Sequence, residues 1–271
     1  MKKTLFLMIL SLILNSAITF GQPIDDRYGK PTDYLSEIKK HDLTELWAYE
    51  NTYLYDTNYF YTNQVLGFIG KDYQRFYIHF ISTIQNPSNH FEYFVYGKTK
   101  VKENICSFQG IITITKAKTF IVENNPKQKQ GLAEGKYEFY EDPHQKGSGI
   151  LKGNFEIDFI FDSIGRLEYG DIIGPDGYFN DRFLGTWNDY KSEKSMKCNW
   201  GYGGIPEGGS LTTGSAEFFL PDKKFAEYGW DNYITAFEYG EVIYASDGTP
   251  IYTTTRIAAQ KKEKEFWWLD K

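Results

Sequence analysis

Two tryptophans and an aspartate are the residues whose types and spacing best suit chemistry in this chain. In Phe183–Tyr190 (FLGTWNDY), Phe183, Gly185, Trp187 and Asp189 share one face of an extended strand, and Met196, Cys198 and Trp200 share the inward face of the next. Indole rings offer flat apolar surface with a polar tip, suited to stacking on a sugar or lining a pocket for an amphiphile. Asp189 is the one carboxylate that this register turns inward, where it needs a partner or a function. Trp187, Asp189 and Trp200 are therefore the candidate ligand-binding residues. A second acid roughly 5–9.5 Å from Asp189 in one cleft would instead suit a glycan hydrolase. Glu156 and Asp158 form a pair by spacing, but they alternate with Phe155, Ile157 and Phe159 and are expected on the wet face of their strand. No catalytic residue is assigned.

Other chemistries find less support. Cys106 and Cys198 both point inward by register, which permits a disulfide in an oxidising compartment and equally suits two buried thiols. The histidines His41, His79, His90 and His144 are scattered, without HExxH or any pair at ligand spacing, so no metal site is expected. His79 reads as a hydrogen-bonded core residue. Asp171–Asp181 (DIIGPDGYFND) has the composition of a cation loop without EF-hand spacing, and a Gly-Pro-Asp-Gly turn accounts for it. The glycine-rich Gly201–Gly214 has no P-loop lysine and leads into no helix, and no GxSxG elbow occurs. No cofactor is expected.

The elements that must position these residues are strands. Glu92–Lys102 alternates Tyr93, Val95, Thr99 and Val101 against lysines, and Ile105–Thr115 alternates Cys106, Phe108, Gly110, Ile112 and Ile114 against polar residues, with Glu103 and Asn104 between them as a tight hairpin. Tyr73–Ile84 is apolar or aromatic on both faces, which predicts a central strand covered on both sides. An apolar-x-Gly-x-apolar register recurs at Phe108–Ile112, Leu151–Phe155 and Phe183–Trp187, more weakly at Thr212–Ala216, at roughly hairpin spacing. Mid-strand glycines allow the bends by which a sheet closes on itself. The fold class expected is all-β, an antiparallel meander closing into a barrel.

Thr32–Ile38 carries the one clear helical signal, a short helix able to cap the barrel. Asn124–Glu134 reads as a polar, proline-broken loop before a short strand Lys136–Tyr140. The chain is expected to end in a hairpin of Glu241–Ala245 with Ile251–Ile257 around an Asp-Gly turn, then Phe266-Trp267-Trp268 as a last strand or edge cover.

The segments LGFIG (66–70), YQRFYIHF (73–80), EYFVYGKTKVK (92–102), ICSFQG (105–110), FLGTWNDYK (183–191) and KCNWG (197–201) resemble those of a group of uncharacterised secreted bacterial proteins, a group without an assigned activity. Gly185-Thr186-Trp187 is similar to the G-x-W of lipocalin and avidin barrels, the calycin type, in which it lies in a first strand; here it falls past mid-chain. The resemblance implies a barrel and transfers no ligand-binding residue.

Met1–Gly21 opens with two lysines, continues with an apolar Leu5–Leu14 too short to span a bilayer, and ends in small and polar residues, which predicts a secretory signal peptide cleaved after Gly21, or after Ala17. The remainder, residues 22–271, is expected to form one domain. The formal charge is −6 for the whole chain and −8 once Lys2 and Lys3 are removed, which disfavours a nucleic-acid partner. No later stretch is long and apolar enough for a membrane helix, and the expected location is periplasmic or extracellular. The expected function is non-catalytic binding of a small molecule or glycan through an aromatic-lined cavity or rim. The alternatives are a glycan-acting hydrolase and an interaction module with a packed interior.

Overall fold

The computed structural model describes residues 30–48, 65–122, 125–170, 180–212, 219–237, 243–248 and 250–269. Met1–Gly21, with its expected leader, most of Asp171–Asp181 and Gly214 of the weak fourth repeat lie outside them. The strands are β1 (Thr32–Asp33), β2 (Leu66–Ile69), β3 (Gln74–Gln85), β4 (Glu92–Val101), β5 (Asn104–Val122), β6 (Asn125–Glu141), β7 (Gly149–Phe161), β8 (Leu167–Tyr169), β9 (Asn180–Asp189), β10 (Ser195–Tyr202), β11 (Ile243–Tyr244) and β12 (Pro250–Ile251). Among the described residues three α-helices accompany them, α1 (Leu35–Ile38), α2 (Asp231–Phe237) and α3 (Thr254–Glu263), with short 3-10 turns such as Lys223–Tyr228.

Antiparallel pairing runs β5-β4-β3-β2-β10-β9-β7-β6, and β6 returns to β5, so the hydrogen-bond ladder of one large sheet closes into a ring of eight strands. The alternation that predicted the strands also decides what fills the ring. Phe76, Phe80, Phe108, Phe139, Phe155 and Phe183 all project inward into a single buried cluster. Their rings meet edge-on or stacked at centroid distances such as 5.4 Å for Phe80–Phe139 and 5.6 Å for Phe155–Phe183. The recurring glycines are the small partners of these rings. Gly110 pairs with Phe139, Gly97 with Phe108 and Gly135 with Phe155, while Gly153 and Gly185 face each other across β7 and β9.

The N-terminal segment closes one end of the ring, as its helical signal suggests. Ile38, Leu43, Leu46 and Trp47 join the interior cluster. Trp47 meets Tyr93 edge-on at 4.7 Å, and the Leu43 amide donates to Tyr93 Oη at 3.1 Å. Thr99, six residues further along the same face of β4 and so about 20 Å away at roughly 3.3 Å per residue, marks the other end. There the turn after β6 folds over β5, with the Asp142 amide donating to Ser107 O at 2.9 Å and Asn104 Nδ2 donating to Lys146 O at 2.9 Å.

Two predicted elements are corrected. Of the expected loop Asn124–Glu134, residues 125–134 are the first part of β6, paired with the long β5, because Gly131, Ala133 and Gly135 leave room for Phe159 and Phe155 to pack across the strand. The expected strand Ile251–Ile257 contributes only Ile251 to a two-residue ladder before α3 begins. Thr253 Oγ1 accepts from the Arg256 amide at 3.2 Å and caps that helix. Thr253→Ala is expected to cost about 1 kcal/mol in urea denaturation, the usual worth of such a cap.

The C-terminal segments cover the outer face of β2 and β3. Phe225, Trp230, Tyr233 and Ile234 bury against Leu66 and Phe68 in a second apolar cluster. Arg75, outward on β3, makes a bidentate pair with Glu263 of α3 at 2.7 and 2.5 Å, and its guanidinium lies 5.0 Å from the Trp230 ring and 5.2 Å from that of Tyr233. Four residues on, His79 stacks on Trp268 at 3.7 Å, and burial pulls its pKa down to about 4. The first half of β3, through Phe80, is thus covered on both faces as its apolar pattern predicts, whereas Ile81 and Ile84 in the second half are exposed. Phe266-Trp267-Trp268 is neither strand nor edge cover but a turn laid over the sheet face.

Candidate functional site

The predicted ligand-binding residues sit in different surroundings. Trp200 is fully buried, stacked on Phe183 at 4.8 Å and packed against Phe76 and Tyr137. Its Nε1 and the neighbouring Tyr137 Oη are buried without a hydrogen-bond partner among the described residues. Trp187 is 7% exposed and donates from Nε1 to Glu141 Oε2 at 2.9 Å. Asp189 stands at the end of β9, where Oδ1 accepts from the amides of Lys191 and Ser192 at 2.6 and 2.9 Å; those amides hold its carboxyl below the usual range. Its carboxylate is occupied in closing a turn rather than directed into the interior, because the chain leaves the strand at this residue.

The inward carboxylate is Glu141. It continues the alternation of Tyr137 and Phe139, a signal available in the sequence had the strand been extended by one residue. Glu141 accepts from Trp187 Nε1, from the Gly149 amide at 2.8 Å and from the Thr99 hydroxyl; burial raises its pKa and these donors oppose the rise. Such a saturated acceptor fastens the end of the ring. Cys106 and Cys198 are both buried free thiols, so the structure contains no bridge between them. Burial pushes Cys106 up to about 11, and its Sγ donates to Lys146 O at 3.7 Å.

Glu156 and Asp158 are not on a wet face. They point outward from the ring as the alternation requires, yet both are buried, at 3% and 5% exposure. Arg182, opposite Glu156 on β9, donates Nε to Glu156 Oε2 at 3.0 Å and Nη1 to Asp158 Oδ2 at 3.1 Å. The pair is therefore a structural ion cluster, which the pattern of one strand could not reveal because the cation comes from another.

A concave site with access to solvent lies elsewhere, between the outer face of β3 and β4 and the C-terminal helices. Period two in β3 turns Tyr77 outward with Arg75, β4 adds Lys100, and the tight turn after β4 adds Lys102 (φ 54°) and Glu103. The facing wall carries Glu227 before the left-handed Gly229 (φ 88°), then Asp231 and Asn232 at the start of α2, with Lys262, Glu265 and Trp267 below. The cleft encloses about 370 Å³. Trp267 is half-buried and meets Tyr77 edge-on at 5.9 Å, while Arg75 lies 4.4 Å and Lys100 5.7 Å from the Tyr77 ring. Burial, more than the nearby acids, pushes the Tyr77 phenol up to about 12. Lys262 pairs with Glu265 at 3.0 Å and Lys100 with Glu103 at 4.0 Å. Lys102, Glu227 and Asp231 have no ion-pair partner among the described residues.

No family model, curated protein or solved structure matches this chain. What the cleft can do follows from its own side chains. It offers acceptors, donors and an indole face around one hollow, the makings of a recognition site. Among the described residues no group of three or more His, Cys, Asp or Glu side chains is arranged to hold a metal ion, and no helix is long and apolar enough to cross a membrane. A smaller hollow of about 310 Å³ over β1 and β5 is lined by Pro31, Leu35 and two lysines, without an aromatic ring. The larger cleft escaped sequence reasoning because its walls lie more than a hundred residues apart in the chain; only the paired tryptophans after a charged run hinted at it.

Proposed function

We propose that this chain is a secreted, non-catalytic binding protein with a calycin-like barrel, and that its ligand site is the outer cleft containing Tyr77 and Trp267. The observation that carries the reading is the contrast in access. Trp200 is sealed among Phe183, Phe76 and Tyr137, whereas the half-buried Trp267 borders a hollow of about 370 Å³. That volume falls within the range of about 300–1,000 Å³ typical of small-ligand sites. The lysines and apolar run of Met1–Leu14 support export, and Gly185-Thr186-Trp187 supports the barrel type. On this reading Trp187 and Trp200 serve the packed interior and Asp189 a turn. The unpaired carboxylates Glu227 and Asp231 on one wall support a second reading, a glycan-acting hydrolase; release of reducing ends from oligosaccharides would reveal it.

A fragment screen by protein-observed NMR tests the binding reading. Bound fragments are expected to shift the Trp267 indole signal, and Trp267→Ala to weaken them at least tenfold, while Trp200→Phe leaves them unchanged. The opposite dependence would put the site in the interior and overturn the outer-cleft assignment.

A further inference from the structure

Resting on that reading of the cleft, we infer that its ligand is a neutral oligosaccharide. The walls carry charges of both signs, Arg75, Lys100, Lys102 and Lys262 with Glu103, Glu227, Asp231 and Glu265, and Arg75 is itself held by Glu263 behind the wall. An anion is opposed by Glu227 and Asp231, and a cation drawn to those acids is opposed by Lys102. A sugar gains from both signs. Its hydroxyls donate to carboxylates and accept from ammonium groups, and charge-assisted bonds of this kind are stronger than neutral ones.

The internal pairs leave the right groups unspent. With Lys262 on Glu265 and Lys100 on Glu103, the side chains still open to a ligand are Lys102, Glu227 and Asp231, joined by the amide of Asn232. Two acceptors, one cationic donor and one group that does both are the kinds of partner that sugar hydroxyls, at once donors and acceptors, can use. Trp267 supplies the apolar surface that the C–H face of a sugar needs. Tyr77 is less available for stacking, because Arg75 and Lys100 already lie against its ring. With two rings among so many charges, the cleft has too little apolar lining for a lipid chain, whose burial depends on apolar area.

The test is a glycan array of neutral, amino-bearing and acidic oligosaccharides probed with the mature chain, followed by calorimetric titration of the best binder. At least one neutral oligosaccharide is expected to bind. Glu227→Gln and Asp231→Asn should each weaken it about tenfold without changing the melting temperature, and Trp267→Phe should retain more affinity than Trp267→Ala. Binding confined to acidic or amino sugars, or binding to no sugar at all, overturns the inference. Should no sugar bind while fragments still shift the Trp267 signal, the ligand class is wrong and the cleft assignment stands. Loss of both would remove the two together.

Discussion

Gly153→Val is expected to yield no stably folded protein, whereas Gly208→Ala should fold normally. A Cβ at residue 153 would lie 1.9 Å from Leu184 O and 2.7 Å from the Gly185 Cα, both backbone atoms of the neighbouring strand. Neither can turn away as a side chain would, so β7 and β9 would have to separate. Gly185 is just as confined, since a Cβ there would meet Lys152 O at 2.2 Å and Tyr137 Oη at 2.4 Å. Overpacking costs about 1–3 kcal/mol where side chains can adjust; with backbone on both sides, the loss should reach or exceed the upper figure. At Gly208 the nearest atom is Ile205 O at 3.2 Å, which a slight shift relieves. Soluble yield and thermal melting compare the two variants, and a cooperative melt for Gly153→Val near that of the parent would contradict the packing described.

Arg182→Ala should cost about 3–5 kcal/mol, the usual result of leaving buried charge without its partner. The pH dependence gives this variant a signature that cavity formation lacks. Burial already raises the pKa of Glu156, and Arg182 is the group that opposes the rise. Without it the folded-state pKa moves further above the unfolded value, so the folded chain binds the extra proton. Stability is then greatest below the unfolded pKa and falls as pH climbs through the folded pKa. Urea midpoints for the variant should therefore fall more steeply than the parent's between mildly acidic and neutral pH. Parallel curves would mean that the arginine acts by packing alone. A triple change to apolar residues of similar volume at 156, 158 and 182 should recover much of the loss.

Much of the strand architecture was legible because apolar alternation is a local signal. Phe108-x-Gly110-x-Ile112, Leu151-x-Gly153-x-Phe155 and Phe183-x-Gly185-x-Trp187 all lie in strands of the ring with their apolar members inside. The early part of β6 was missed because it meets its neighbours with Gly131, Ala133 and Gly135, whose small size is read as a loop until Phe155 and Phe159 are seen lying over them. α3 was masked by the threonines before it, which suit a strand until Thr253 is recognised as a cap. Glu156 and Asp158 show what alternation leaves out. It tells which way a side chain points but not whether something covers that side. The cleft was the least legible feature, since Tyr77 and Lys100 meet Asp231 and Trp267 only after the whole ring has formed.

The order of the strands also bears on how the chain reaches this state. Seven of the eight ring contacts join strands that are neighbours in sequence or separated by the short β8, whereas β2 and β10, the first and last strands of the ring in the chain, meet through only four residue pairs, Leu66–Ile69 with Cys198–Gly201. Joining distant segments carries the largest loop-closure entropy, so this pairing should form last and open first. Amide protons of Gly67 and Asn199 should then exchange with solvent sooner than those of Tyr93 or Phe139.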